Sequence, residues 1–89
     1  MIRRDVRIIN RLGLHARAAA RFVQTANRYR SRITLGRDSR AMDGKSILGI
    51  LLLAAAQGSV LTVTAEGDDE EDAVLALADL ITDRFGEEA

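Results

Sequence analysis

His15 and Arg17 are the residues whose types and spacing are best suited to a chemical reaction. His15 is the only histidine among 89 residues, and it lies where an extended segment gives way to an alanine-rich helical pattern. A helix start leaves backbone N–H groups unpaired and carries partial positive charge, which favours an anion there. An imidazole at that point can carry a phosphoryl group, and the forked donors of Arg17 can neutralise it. The simpler alternatives are a loop or N-cap histidine and a solvated arginine.

The sequence lacks the residues that other kinds of catalytic site require. The chain has no cysteine and a single histidine, so a thiolate or zinc site is not expected and we predict no metal and no cofactor. We find no paired carboxylates near His15, no glycine-rich phosphate loop and no Ser-His-Asp set. These observations favour a phosphoryl carrier with a phosphohistidine intermediate over an autonomous enzyme.

Length and composition indicate one small domain spanning residues 1–89. Hydrophobic residues make up 47% of the chain, which favours a globular fold. The N-terminal residues do not resemble a signal peptide, and the apolar run over 47–56 is far shorter than the roughly 20 residues that span a bilayer. We therefore expect a cytoplasmic protein without membrane insertion.

Charge is divided unevenly along the chain although the net charge is zero. Residues 1–45 contain twelve of the thirteen Lys and Arg residues and three acidic residues, whereas 46–89 contain one basic residue and ten acidic residues. The basic residues crowd around His15, which suits an anionic substrate or an acidic partner. An ordinary charged surface is the alternative.

Hydrophobic spacing predicts the order β-α-β-β-α-β-α and a two-layer open sandwich of the α+β class. The predicted elements are a strand carrying Ile2, Val6 and Ile8, a loop over 10–14, a helix over 16–29, a strand around Ile33 and Leu35, a turn over 36–39, a strand over 40–42, a helix over 47–53, a strand over 60–65 and a helix over 72–85. We expect the first helix to bury Ala19, Phe22, Val23 and Ala26, and the last to bury Val74, Leu77, Ile81 and Phe85. Asp68 or Asp69 could cap the last helix.

The short helix over 47–53 is apolar almost all round and follows Ser46, a plausible N-cap. So small a domain cannot bury every apolar side chain of this helix. We expect Ile47, Leu48 and Leu51 to form a docking patch near His15, ringed by Arg17, Arg21 and Lys45. Packing in the core is the alternative for each of the three.

Three segments together resemble the HPr family of histidine phosphocarrier proteins over nearly the whole chain. The segment Gly13-Leu14-His15-Ala16-Arg17 resembles the family's active-site motif, and Lys45-Ser46-Ile47-Leu48-Gly49 resembles its regulatory segment. Gln57-Gly58, with Val60–Thr64 and Ala65-Glu66-Gly67 after it, resembles the family's last strand and turn. One departure is Ala18, which stands where the family usually has proline. We expect it to loosen the loop without abolishing function, and it leaves open the sugar or nitrogen-related branch of the family.

This resemblance implies an open-faced β-sandwich in which three helices cover one face of a four-stranded antiparallel sheet. It also implies that the carrier takes phosphate from enzyme I on Nδ1 of His15 and passes it to an enzyme IIA domain. Ala16 and Arg17 would bind the phosphate, and Ser46 would be a regulatory site for HPr kinase/phosphorylase. We expect a monomer.

Two other classes of function fit parts of the sequence. A basic domain of this type could bind nucleic acid, but its aromatic residues Phe22, Tyr29 and Phe85 all fall on predicted helices rather than on a sheet surface, so no nucleic-acid partner is expected. A regulatory protein that acts only by docking is the other alternative, and His15 with Arg17 argues against it.

Overall fold

The computed structural model describes residues 1–89, which form four strands and three helices. In chain order they are β1 (Ile2–Arg7), α1 (Ala16–Ala26), β2 (Arg32–Arg37), β3 (Arg40–Asp43), α2 (Ile47–Leu52), β4 (Val60–Glu66), α3 (Glu70–Thr82) and a short turn over Arg84–Gly86. The order βαββαβα is the predicted one.

The four strands form one antiparallel sheet in the order β1-β4-β2-β3. Side chains alternate across β4, whose Leu61, Val63 and Ala65 are buried. Thr62 and Thr64 point to the other face and are only half-buried, because successive residues of a strand face opposite sides. The three helices cover the apolar face, which confirms the open-faced sandwich.

The core lies between the sheet and the helices. α3 packs on β1 and β4, while α1 packs against α2 and α3. α1 buries all four predicted residues and also Ala18, and Phe22 and Phe85 are the largest side chains that are fully buried. None of the helices is both long and apolar enough to cross a membrane.

Two predicted boundaries in the first half of the chain were wrong. α1 ends at Ala26 rather than at Tyr29, because Asn27, a weak helix former, is the C-cap and the next N–H groups bond only three residues back. The β2–β3 turn is Asp38-Ser39 alone. Gly36 and Arg37 belong to the strand, since they pair with Ala41 and Arg40.

The predicted last helix over 72–85 was also wrong at both ends. It begins at Glu70 and ends at Thr82. Arg84 and Phe85 then take left-handed backbone angles, with φ of 58° and 54°, which a continuing helix excludes. Phe85 is nevertheless fully buried, so the predicted apolar spacing survives although its last member lies in a turn.

Asp69 occupies the N-cap position of α3, but its side chain does not cap the helix. Its carboxylate accepts hydrogen bonds from the backbone N–H of Arg30 (2.8 Å), the backbone N–H of Ser31 (3.0 Å) and the Ser31 hydroxyl. These bonds, led by that of the Ser31 hydroxyl, lower the pKa of Asp69. Asp69 therefore ties the segment before β2 to the start of α3.

Candidate phosphorylation site

The loop before α1 is fixed against the segment after α2. Gly13 has φ of 66° and lies so close to that segment that a Cβ would sit 2.6 Å from the carbonyl oxygen of Ala55. The neighbouring Leu14 N–H donates to the same oxygen at 2.9 Å, and the Leu14 side chain is buried. Only glycine fits at position 13, and this packing fixes where the loop delivers the next residue, His15.

His15 is the N-cap of α1, with an extended backbone and no hydrogen bond from its side chain to the helix. Its carbonyl oxygen accepts the first helical bond, from Ala19 N–H at 2.8 Å. The N–H groups of residues 16–18 consequently have no partner within the helix. The structure thus places the imidazole beside an N-terminus with free donors, as the sequence predicted.

An open pocket of about 660 Å³ lies over this helix start. Its walls include Arg11, Leu12, His15, Ala16 and Arg17. The Arg17 side chain is exposed and makes no salt bridge, so its guanidinium is free to bind an anion. The pocket brings together every residue that the sequence analysis assigned to phosphate.

Glu87 also lines the pocket, although no sequence motif predicts it. One of its carboxylate oxygens contacts Nε2 of His15, and the other accepts a bond from Nδ2 of Asn10 at 2.9 Å. Partial burial acts to raise the pKa of the Glu87 carboxyl, but the bonds from His15 and Asn10 outweigh it and the pKa is lowered overall. No sequence signal links residues 72 positions apart.

Ser46 caps α2 as predicted. Its hydroxyl accepts a hydrogen bond from the Gly49 N–H at 3.1 Å, and it is half-buried. This bond satisfies one of the free donors at the start of a helix of six residues. A regulatory role for Ser46 stays a prediction.

The docking patch residues differ in exposure. Ile47 is 43% exposed and Leu48 is 72% exposed, whereas Leu51 is partly buried against the core. Leu52, which the sequence analysis did not select, is 58% exposed. Since α2 packs beside α1, the exposed part of this surface belongs to the layer of the molecule that carries His15.

Arg21 and Lys45, the other predicted cations around the patch, both bind backbone carbonyls. Arg21 donates to the carbonyl of Phe85, and Lys45 Nζ donates to that of Tyr29 at 2.8 Å. Each side chain therefore fixes a chain segment in addition to contributing positive charge.

The chain contains no cluster of three or more side chains suited to hold a metal ion.

Comparison with known proteins finds matches along almost the entire chain. The family described as "PTS HPr component phosphorylation site" matches residues 2–83. Phosphocarrier protein HPr of Cupriavidus necator is 48% identical over 87 residues, which cover 98% of each chain.

Solved structures agree with the sequence comparison. The crystal structure of HPr-C-His from Thermoanaerobacter tengcongensis superposes with a TM-score of 0.96 and 49% identity, covering 100% of both chains. The crystal structure of an HPr dimer from that organism gives a TM-score of 0.78 and 51% identity, covering 92% of this chain and 94% of the other.

Proposed function

Since this chain belongs to the HPr family and is a phosphocarrier of the phosphotransferase system, we propose that the carrier group is His15 and that Nδ1 is the atom phosphorylated. The observation that carries this proposal is the position of the only histidine at the N-cap of α1, with its imidazole making no cap bond. A nucleophile there attacks phosphorus beside free N–H donors and partial positive charge.

Arg17 and the backbone N–H groups around Ala16 would bind the transferred phosphate. The guanidinium offers paired donors that match phosphate oxygens, and it has no acidic partner to displace. Because the pocket is open, the phosphoryl group can arrive from one protein and leave to another. These features support a shuttle that takes phosphate from enzyme I and gives it to an enzyme IIA domain.

We propose that partner proteins contact the exposed side chains of Ile47 and Leu48 and the basic residues predicted around this docking patch. Apolar centres with charged rims are common in transient interfaces. HPr kinase/phosphorylase is the proposed partner of Ser46, where added phosphate would place negative charge beside this surface. We propose a monomeric, cytoplasmic carrier, since the shuttle must keep His15 accessible to successive partners.

The proposed function is tested by incubating the protein with enzyme I, magnesium and phosphoenolpyruvate and measuring its intact mass. We expect one added phosphoryl group that is lost on acid treatment, as phosphohistidine requires. The control omits enzyme I and should leave the mass unchanged. Phosphate that survives acid would contradict a histidine acceptor.

A further inference from the structure

The C-terminal segment turns back onto the loop that carries His15, and several contacts fix its path. The left-handed residues Arg84 and Phe85 are followed by Gly86 with φ of 79°, and together they reverse the chain after α3. The buried Phe85 ring fixes the turn in the core, and its carbonyl accepts a bond from Arg21. At the end of the chain, Ala89 O accepts a bond from Arg11 N–H at 2.9 Å. The position of Glu87 is therefore set on both sides.

Asn10 fixes the direction of the hydrogen bonds around Glu87. It is fully buried, and its Nδ2 donates to the Gly13 carbonyl at 2.8 Å and to Glu87 Oε1 at 2.9 Å. The amide orientation follows, because both partners of Nδ2 are acceptors. Glu87 Oε1 is thereby occupied, and Oε2 faces His15 Nε2.

An ionised carboxylate can only accept hydrogen bonds. The contact between Glu87 and His15 therefore requires the ring proton of His15 to be on Nε2. The lowered pKa of Glu87 supports the ionised form at neutral pH. In a neutral imidazole with Nε2 protonated, Nδ1 keeps its lone pair. His15 Nδ1 makes no hydrogen bond within the chain.

We propose that Glu87 is a positioning residue, which holds His15 in the Nε2–H tautomer and so presents Nδ1 as the nucleophile. This inference rests on the proposed function of His15. In the step, the Nδ1 lone pair forms the bond to phosphorus while the N–P bond of the phosphorylated histidine donor breaks and its electron pair returns to the donor nitrogen. The ring becomes an imidazolium that retains its Nε2 proton, and the adjacent Glu87 carboxylate stabilises the new positive charge.

Glu87→Gln separates this role from simple packing. Asn10 must still donate to position 87, so the Gln oxygen should face Asn10 and the amide NH₂ should face His15 Nε2. A donor at that point favours the Nδ1–H tautomer, in which Nδ1 is no longer nucleophilic. Glu88→Gln is the matched control, since Glu88 also lines the pocket but does not contact His15, and the substitution makes the same charge change there.

The first readout is long-range ¹H–¹⁵N NMR of the His15 ring at neutral pH, which needs no partner protein. We expect the Nε2–H tautomer in the wild type and in Glu88→Gln, and a shift towards Nδ1–H in Glu87→Gln. Both variants should keep the fold, because Glu87 lies outside the helices and strands. Backbone amide spectra of the same samples check this. An unchanged tautomer in folded Glu87→Gln would overturn the inference.

The second readout is the rate of transfer from phosphorylated enzyme I at saturating donor. We expect Glu87→Gln to be slower by at least about tenfold, the lower end of the loss when a partner that orients a metal-bound histidine is removed, with little change in the donor concentration at half-maximal rate. An equal rate would overturn the inference, and a faster rate would show instead that the tail obstructs the pocket. Failure of the wild type to accept phosphate would refute the proposed function itself, a result distinct from any ratio between variants.

Discussion

The chemistry proposed for His15 depends on residues that are adjacent in the chain and on others that are not. Arg17 is two residues away, and the sequence was sufficient to predict its place beside His15, since both line one pocket. Asn10 and Glu87 come from a loop and from the end of the chain. Their contribution could not be predicted, because it depends on a left-handed turn and a buried phenylalanine that return the tail to the loop.

At the residue scale, Arg17→Ala should slow phosphotransfer while leaving stability almost unchanged. The side chain is exposed and makes no salt bridge, so the free energy of unfolding should change by at most about 0.5 kcal/mol. Urea unfolding and transfer rates from enzyme I measure the two effects.

The matched control is Arg28→Ala, an exposed arginine beyond the far end of α1, which should leave transfer close to the wild-type rate. A large loss of stability with normal transfer in Arg17→Ala would contradict the assignment of Arg17 to phosphate.

At the scale of elements, the order of helices and strands and the cap of α2 were predictable, but the ends of two helices and the cap of α3 were not. Ser46 caps α2 as its position predicted. Asp69, which stood at an equally suitable position before α3, instead binds the segment before β2. The difference arises because a tertiary acceptor role competes with capping, and only the fold shows which donors are near. Ala18 is fully buried in α1, and its effect on the loop stays a prediction.

Substitutions of Ser46 should separate capping from charge. Ser46→Ala removes the bond to Gly49 N–H and should lower the free energy of unfolding by about 1 kcal/mol while keeping transfer. Ser46→Asp supplies a good N-cap, so most of that stability should be kept. Its negative charge should weaken transfer from enzyme I, most strongly at low salt, where screening is weak.

Transfer rates across a salt series, with urea unfolding of each variant, measure both effects. Equal transfer by the two variants at every salt concentration would show that Ser46 acts only as a cap.

At the scale of the whole molecule, the architecture was predictable because apolar periodicity and short turns agree over most of the chain. The order of strands in the sheet could not be predicted in this way, because β4 lies between β1 and β2. Pairings between residues as distant as Ile2 and Ala65 leave no local pattern, and only the family resemblance supplied the antiparallel sheet. The two halves of the chain, which differ in charge, contribute residues to one hydrophobic core.

Acid should destabilise the fold through carboxyls whose pKa is lowered in the folded state. For Asp69 the hydroxyl of Ser31, followed by the Arg30 N–H, lowers the pKa below its ordinary value of 3.8. For Glu70 the Gly67 N–H, followed by the N-terminal amine, lowers it below 4.5. A depressed folded pKa means that the stabilisation is present above the ordinary value and is lost as the pH falls through the folded value.

Asp69→Asn tests this linkage. Urea unfolding from pH 7 down to acid should show the variant less stable than the wild type at neutral pH, with the two curves converging in acid below pH 3.8. Asp68→Asn, at the exposed neighbouring position, should follow the wild type throughout. A difference for Asp69→Asn that persists unchanged into strong acid would contradict an ionic contribution from Asp69.

Phosphorylation of the wild type compared with His15→Ala tests the central claim most directly. Both proteins are incubated with enzyme I, magnesium and phosphoenolpyruvate, and the acid-labile phosphate on each is measured by intact mass spectrometry. His15 is only partly buried, at 27% exposure of its side chain, so the alanine variant should remain folded and its amide spectrum should show this. We predict one phosphoryl group on the wild type and none on His15→Ala. Undiminished labelling of the folded variant would contradict the account.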